Sequence, residues 1–317
     1  MITKTLDGLT VSAQGLGCMG MSQSYGMGDW DESIATIHRA LDLGVTFLDT
    51  ANVYGAGHNE VLVGRAIADR RDQVQLATKF GIDRDVDSSK RTIHGKREYV
   101  KASCEDSLTR LGVDVIDLYY LHRPPDDAEI EETVGAMAEL VQEGKVRYLG
   151  LSEVDNDQLR RAFDVHPIAA VQSEYSIWTR DPERTVLDAM RELGVALVPF
   201  SPLGRGFLTG DLAGASFGAK DFRANLPRFQ GEARDTNEAI VAAVVEVARR
   251  HDVPAAQVAL AWVHGRERQL GVPVVPIPGT KRIKWLEQNV AAFDLELTDQ
   301  DRAEIDPLGD AVAGARY

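Results

Sequence analysis

Short apolar runs recur along the chain, separated by stretches of helical period, and most of the runs end on a polar residue. The runs at 45–48, 74–77 and 116–121 lack the polar–apolar alternation of a half-exposed strand, and uninterrupted apolar character marks strands buried on both faces. This pattern predicts a hairpin over 3–11 turning at Asp7-Gly8, then strands at 15–19, 46–50, 74–79, 117–122, 148–152, 170–173, 196–201 and 274–278. Between them the 3.6-residue period predicts helices over 31–43, 60–70, 97–111, 130–143, 157–163, 184–193, 237–250 and 282–290. Gly44, Gly112, Gly144 and Gly194 stand where a left-handed residue would end a helix. Strand and helix alternating eight times predict an α/β fold, a closed (β/α)8 TIM barrel preceded by a hairpin and carrying long active-site loops. In an open doubly wound sheet the polar residues would gather at one switch point instead of recurring at nearly every strand end. No proline- or serine-rich linker divides the chain, so residues 1–317 read as a single domain.

Composition narrows the class. A length of 317 residues with 44% hydrophobic content can bury a sizeable core. The formal net charge of -14 argues against nucleic acid or an anionic membrane surface as principal partner, since both would repel the chain. Cys18 and Cys104 are the only cysteines and lie far apart, which suggests neither a disulfide framework nor a metal site. The start has no charged segment followed by a long apolar stretch, and no later run is long enough to span a membrane, so the expected location is the cytoplasm. The chain resembles no coiled coil or internal repeat, and its oligomeric state is left open.

A literal Gly-x-Gly-x-x-Gly occurs at Gly15, Gly17 and Gly20. A dinucleotide fingerprint needs a helix opening on the third glycine and an acidic residue about 20 positions on. Here Gly20 leads into loop-like sequence, so a tight first strand and an open loop are the better reading.

Four polar residues carry the chemistry. Asp49, Tyr54, Lys79 and His122 lie at or just beyond the ends of three predicted strands, which converge at the carboxyl face of a barrel. A lysine continuing a buried apolar run must be paired or functional, and Asp49 is the obvious partner. The positive field of Lys79 would favour the Tyr54 phenolate, lowering a pKa that is about 10 when unperturbed. His122 suits a hydrogen-bond donor to a substrate oxygen. A short-chain dehydrogenase also uses Tyr and Lys, but four apart on one helix, and Tyr54 and Lys79 are not so spaced.

With these residues in this order and local sequence, the chain resembles the aldo-keto reductase superfamily over essentially its whole length. The segments 150–153 and 174–181 are similar to the branch that includes perakine reductase and relatives of the potassium-channel β subunit. The resemblance implies NADP(H) as cofactor, a small carbonyl compound as substrate, hydride transfer to an aldehyde or ketone, and Tyr54 as the acid. It also allows an NADPH-binding redox sensor or regulatory subunit in which carbonyl reduction is incidental.

Ser152 and Gln172 offer polar side chains at strand positions an apolar core would not favour, which suits a carboxamide. Glu153 stands where the family often has Asn. By resemblance Phe200 stacks on the nicotinamide, Ser201, Pro202, Leu203, Gly204 and Arg205 neighbour the pyrophosphate, and Cys18, Met19 and Asp49 join the cofactor set. Gly279, Thr280, Lys281 and Arg282 open a helix whose amides and charges attract phosphate, and the resemblance puts the adenosine 2′-phosphate there, with Gln288 and Asn289 on the adenine. The stretch 208–236 is long for a loop and would be a belt over the cofactor, with Arg223 on a phosphate and Phe207 as a cleft wall. Met21, Tyr25, Trp30, Phe80 and Trp178 are the apolar candidates for the substrate mouth.

Overall fold

The computed structural model describes residues 1–24, 28–82, 92–212, 215, 217–218 and 221–316. Strands β1 (Thr3–Leu6) and β2 (Leu9–Ser12) pair antiparallel across Asp7-Gly8, both at positive φ as a tight two-residue turn requires. Seven parallel strands then follow in chain order: β3 (Leu16–Gly17), β4 (Phe47–Asp49), β5 (Gln75–Phe80), β6 (Ile116–Leu121), β7 (Val146–Ser152), β8 (Ala170–Glu174) and β9 (Ala196–Phe200). Each pairs with the next in the sequence.

The eighth staves are residues 274–278, and the reason they form no continuous strand lies in their composition. Val275 and Ile277 donate to the carbonyls of Leu197 and Pro199 at 2.9 and 3.0 Å, joining β9. On the opposite side Pro276 and Pro278 have no N–H to give and only accept, from Gly15 at 2.9 Å and Gly17 at 3.4 Å. Parallel bridges Leu197–Val274 and Gly17–Gly279 complete the circuit, so the fold is a (β/α)8 barrel. A Cβ on Gly15 would lie 2.7 Å from the Phe47 ring, and one on Gly17 would lie 2.9 Å from the Ile277 carbonyl oxygen. Both glycines therefore serve the close seam of the barrel. Beyond them comes a single 3-10 turn, Met19–Met21, and no helix opens on Gly20.

Inside the barrel, alternate strand residues Phe47, Ala77, Leu118, Tyr120, Ala170, Val198 and Ile277 form one apolar cluster, which the hairpin closes from below with Leu6, Leu9 and Val11. Outward-facing Leu76, Tyr119, Leu121 and Leu197 pack against the helices. These are α1 (Trp30–Asp42), α2 (His58–Ile67), α3 (Arg97–Leu111), α4 (Ile130–Gln142), α5 (Asn156–Val165), α6 (Pro182–Thr185), α7 (Leu187–Leu193), α8 (Gly231–Arg250), α9 (Ala255–Gly265), α10 (Glu267–Leu270), α11 (Ile283–Val290) and α12 (Asp299–Ile305). The predicted helix over 184–193 is broken at Val186, and α8 starts earlier than its period indicates. Helix α9 has no counterpart among the predicted elements. Ala255 to Val263 are all buried, so its sequence is apolar on every side and carries no amphipathic signal.

Candidate active site

Parallel strands in a closed barrel deliver their carboxyl ends to one mouth. Asp49 ends β4, Lys79 lies next to the end of β5, His122 follows β6, Ser152 ends β7, Gln172 lies within β8 and Phe200 ends β9. Tyr54 is carried by a turn whose Gly55, Ala56 and Gly57 all have positive φ. That costly backbone is held from outside: the Gly55 N–H donates to Gln23 at 2.8 Å. Asn59, fully buried, accepts from the Thr50 hydroxyl at 2.6 Å and donates to the Cys18 carbonyl at 2.8 Å and Ser22 at 2.7 Å. Asn59 thus ties three loops into the frame that aims Tyr54. The sequence reading did not single it out, because asparagine is common beside a helix start.

The Lys79 ammonium is wholly buried and donates to Asp49 Oδ1 at 2.5 Å, to the Thr50 carbonyl at 2.9 Å and to the Tyr54 hydroxyl at 3.3 Å. Three acceptors match its three protons. The second Asp49 oxygen accepts from Gln172 Nε2 at 2.8 Å. Burial works against the charged lysine, yet the Asp49 carboxylate and the Tyr54 oxygen outweigh it and hold Lys79 above its ordinary value. Tyr54 departs from the expectation of a lowered pKa. Burial raises it, Asp49 adds to the rise, and the opposing pull of Lys79 and Arg123 is too small to reverse the balance. The Tyr54 and His122 rings meet edge to face, centroids 5.8 Å apart.

Around the mouth the cofactor candidates divide. Phe200 is half-buried, and Ser201, Gly204, Arg205 and Gly206 after it have positive φ, a turn-rich loop. Pro202 and Leu203 lie in the same loop. Arg205 pairs with buried Glu174 at 2.7 Å and lies over the Phe222 ring, while Arg223 pairs with Asp221 at 2.7 Å and donates to the Arg205 carbonyl at 3.1 Å. The 221–229 segment is therefore docked on the 201–209 loop, and its Phe222 N–H reaches the Ser24 carbonyl across the mouth at 3.4 Å. Near Gly279, the Thr280 hydroxyl accepts from the Arg282 N–H at 3.1 Å just ahead of α11. Burial and the adjacent Arg282 pull Lys281 below its ordinary value. Along α11, Gln288 is half-buried and Asn289 buried.

The other candidate residues differ in their surroundings, and some point into the packing. The Cys18 side chain lies in the core, where burial pushes the thiol up to about 12, and both its backbone groups bond within the protein. Neighbouring Met19 is half-buried. Phe80 is buried and stacked on Tyr119 at 4.8 Å, and Met21 is buried in the same core, so neither lines a mouth. Trp178 and Phe207 stack at 5.1 Å beneath the 201–209 loop, where a Cβ on Gly204 would lie 2.7 Å from the indole. They form the floor of that loop and not a cleft wall. Trp30 packs edge-on against His58 at 4.9 Å, and Tyr25 lies outside the described residues. The Glu153 carboxylate is taken by Arg316 and by the Glu174 N–H at 2.8 Å, so it anchors the C-terminal segment.

Arg123 is a residue the sequence reading passed over. It is half-buried, and its Nη1 donates to the His122 carbonyl at 2.6 Å and to the Ser152 hydroxyl at 3.1 Å. A run of His-Arg-Pro-Pro after a strand reads as a solvated turn, which hid it. Among the described residues no His/Cys/Asp/Glu cluster could hold a metal ion, and no helix is long and apolar enough to cross a membrane.

Asp49, Lys79 and Tyr54 form a buried acid–base cluster beside the His122 ring at the mouth of a barrel, and comparison with known proteins gives the family. The model of the aldo/keto reductase family matches residues 14–310. A probable aldo-keto reductase 1 from Glycine max is 47% identical over 317 residues, covering 98% of this chain and 90% of that protein. Among solved structures, a glycerol dehydrogenase from Gluconobacter oxydans superposes with a TM-score of 0.87 at 29% identity, covering 96% of this chain and 94% of that one. An aldo/keto reductase from Klebsiella pneumoniae, solved with NADP and acetate, gives a TM-score of 0.74 at 26% identity over 99% and 96% of the two chains. The chain belongs to the aldo/keto reductase family, whose members typically reduce carbonyl compounds with NAD(P)H.

Proposed function

We propose that this protein, acting as one unit over residues 1–317, reduces aldehydes or ketones to alcohols with NADPH, Tyr54 delivering the proton. The observation that carries the reading is the Lys79 ammonium, saturated by Asp49, Thr50 and the Tyr54 oxygen beside the His122 ring. The residues fit the cofactor. Phe200 offers an aromatic face, Ser152 a buried hydroxyl, and Gln172, its amide nitrogen given to Asp49, offers its carbonyl oxygen. The charge of Lys281, disfavoured by burial and by the adjacent Arg282, would be stabilised by an anion such as a 2′-phosphate. When bound, NADPH supplies the hydride. Tyr54 and His122 hold the carbonyl oxygen, and Tyr54 gives up its proton as charge develops there, with Lys79 stabilising the phenolate that remains.

The deciding experiment is a titration of the protein with NADPH and NADH by intrinsic fluorescence, followed by a panel of aldehydes and dicarbonyls while reduced-nicotinamide absorbance is watched. Carbonyl-dependent oxidation supports the reductase. Tight NADPH binding with no oxidation by any member would shift the reading to a nucleotide sensor, and absence of binding would overturn the cofactor.

Two further outcomes follow from the geometry. Lys281→Met should weaken NADPH binding about tenfold while changing NADH binding little, because one phosphate contact to a charged group is worth about 1.5–3 kcal/mol. Equal weakening of both nucleotides would remove Lys281 from the 2′-phosphate. Because burial holds Tyr54 above its ordinary value, its acid form persists to alkaline pH. The kcat/KM for reduction should then be flat between about pH 6 and pH 9 and fall only beyond, while alcohol oxidation, which needs the phenolate, should rise with pH. A falling limb below about pH 8 would mean that Lys79 outweighs burial after all.

A further inference from the structure

Resting on that reading, we propose that Arg123 biases the site toward the reduced cofactor by holding a fixed positive charge beside the nicotinamide position. Its Nη1 joins the backbone carbonyl of His122 to the hydroxyl of Ser152, one residue from the substrate-oxygen donor and the other from the carboxamide contact. The guanidinium carbon lies 5.9 Å from the centre of the Phe200 ring, the aromatic face assigned to the nicotinamide. Arg123 therefore lies against His122, Ser152 and Phe200, three of the residues assigned around the ring. Among the described residues no carboxylate lies within ion-pair distance of it, in a chain whose acidic residues outnumber the basic by 49 to 35. Among those residues nothing cancels its charge locally. The Asp49 carboxylate of the site is already matched by Lys79.

The consequence follows from charge alone. The oxidised nicotinamide carries a positive charge on its ring and the reduced one does not, so a cation fixed nearby destabilises only the oxidised form. Taking the 5.9 Å from the guanidinium to the Phe200 ring as the scale of the separation, an effective dielectric of about 40 would give a repulsion worth about a tenfold difference in affinity. Arg123 would thus lower affinity for product nucleotide, speed its release and favour the reductive direction, while Ser152 and His122 keep their geometry through its hydrogen bonds.

Dissociation constants for NADPH and for oxidised NADP, measured separately by fluorescence titration, test this in wild type, Arg123→Gln and Arg123→Lys. The ratio of the oxidised to the reduced constant should fall about tenfold in Arg123→Gln, mostly through tighter binding of the oxidised form, and should be largely kept in Arg123→Lys. If the glutamine variant does not fold, Arg123→Met keeps the stem and removes the charge. An unchanged ratio in the uncharged variant, with both constants shifted together, would make Arg123 a structural tie only and overturn the proposal. An equal fall in Arg123→Lys would do the same, since the charge is still there. If wild type binds neither nucleotide, the failure lies in the functional reading and not in the role of Arg123.

Discussion

Replacing Tyr54 by Phe should lower turnover by about 10³-fold while leaving NADPH affinity within about twofold of wild type. Only the hydroxyl is removed, and among the described residues its hydrogen-bond partner is Lys79 Nζ at 3.3 Å. The ring stays in its place against His122, and the turn that carries it is fixed by Gln23 and by the Asn59 frame, neither of which touches the hydroxyl. Lys79 keeps Asp49 and the Thr50 carbonyl, so the buried cation remains satisfied and the fold should be unharmed. The loss is thus confined to proton delivery. Retained turnover in this variant would sink the assignment of Tyr54 as acid. Loss of nucleotide affinity together with turnover would instead point to a collapsed mouth, which the melting temperature would reveal.

The barrel was legible because its strands are buried on both faces and its helices on one, two patterns the chain writes in plain hydrophobic code. Where those patterns blur, the reading went astray. Helix α9 is buried all round and left no stripe to read. Residues 274–278 read as a strand, and they close the barrel, but Pro276 and Pro278 leave one side of the ladder with acceptors only. The Asp49–Lys79 pair was legible because a buried lysine cannot be tolerated without a counter-charge.

Aromatic residues were less legible. Phe80 ends a strand and Trp178 follows one, but the direction of a side chain depends on register and loop path, and both turn into packing. Arg123 was missed for the opposite reason. An arginine after a strand is usually solvated, and only its hydrogen bond to Ser152 at the end of β7 and its approach to Phe200 at the end of β9 show what surrounds it. The sign of the Tyr54 shift was likewise beyond the sequence, because it depends on how completely the site excludes water, not on which charges are present.

The Asp49–Lys79 pair gives the largest expected effect on stability. Both side chains are almost fully buried, 3% and 0% exposed, so each charge is acceptable only because of the other. Lys79→Met would leave the Asp49 carboxylate with Gln172 as its remaining side-chain donor, and Asp49→Asn would leave the ammonium without a counter-ion. Each single variant should lose about 3–5 kcal/mol of unfolding free energy. The double variant Asp49→Asn with Lys79→Met holds no buried charge at this point, and replacing a buried pair by neutral groups is often nearly free. It should therefore be at least about 2 kcal/mol more stable than the two single losses added together imply, measured from urea midpoints at constant slope. Turnover separates the two roles of the pair. Stability should recover in the double variant and activity should not, since the phenolate left by Tyr54 no longer has a cation beside it. Additive losses below about 1 kcal/mol each would show that water reaches the pair, and with it the burial that raises Tyr54 would go. A double variant that regained turnover would leave the proton transfer to Tyr54 and His122 alone.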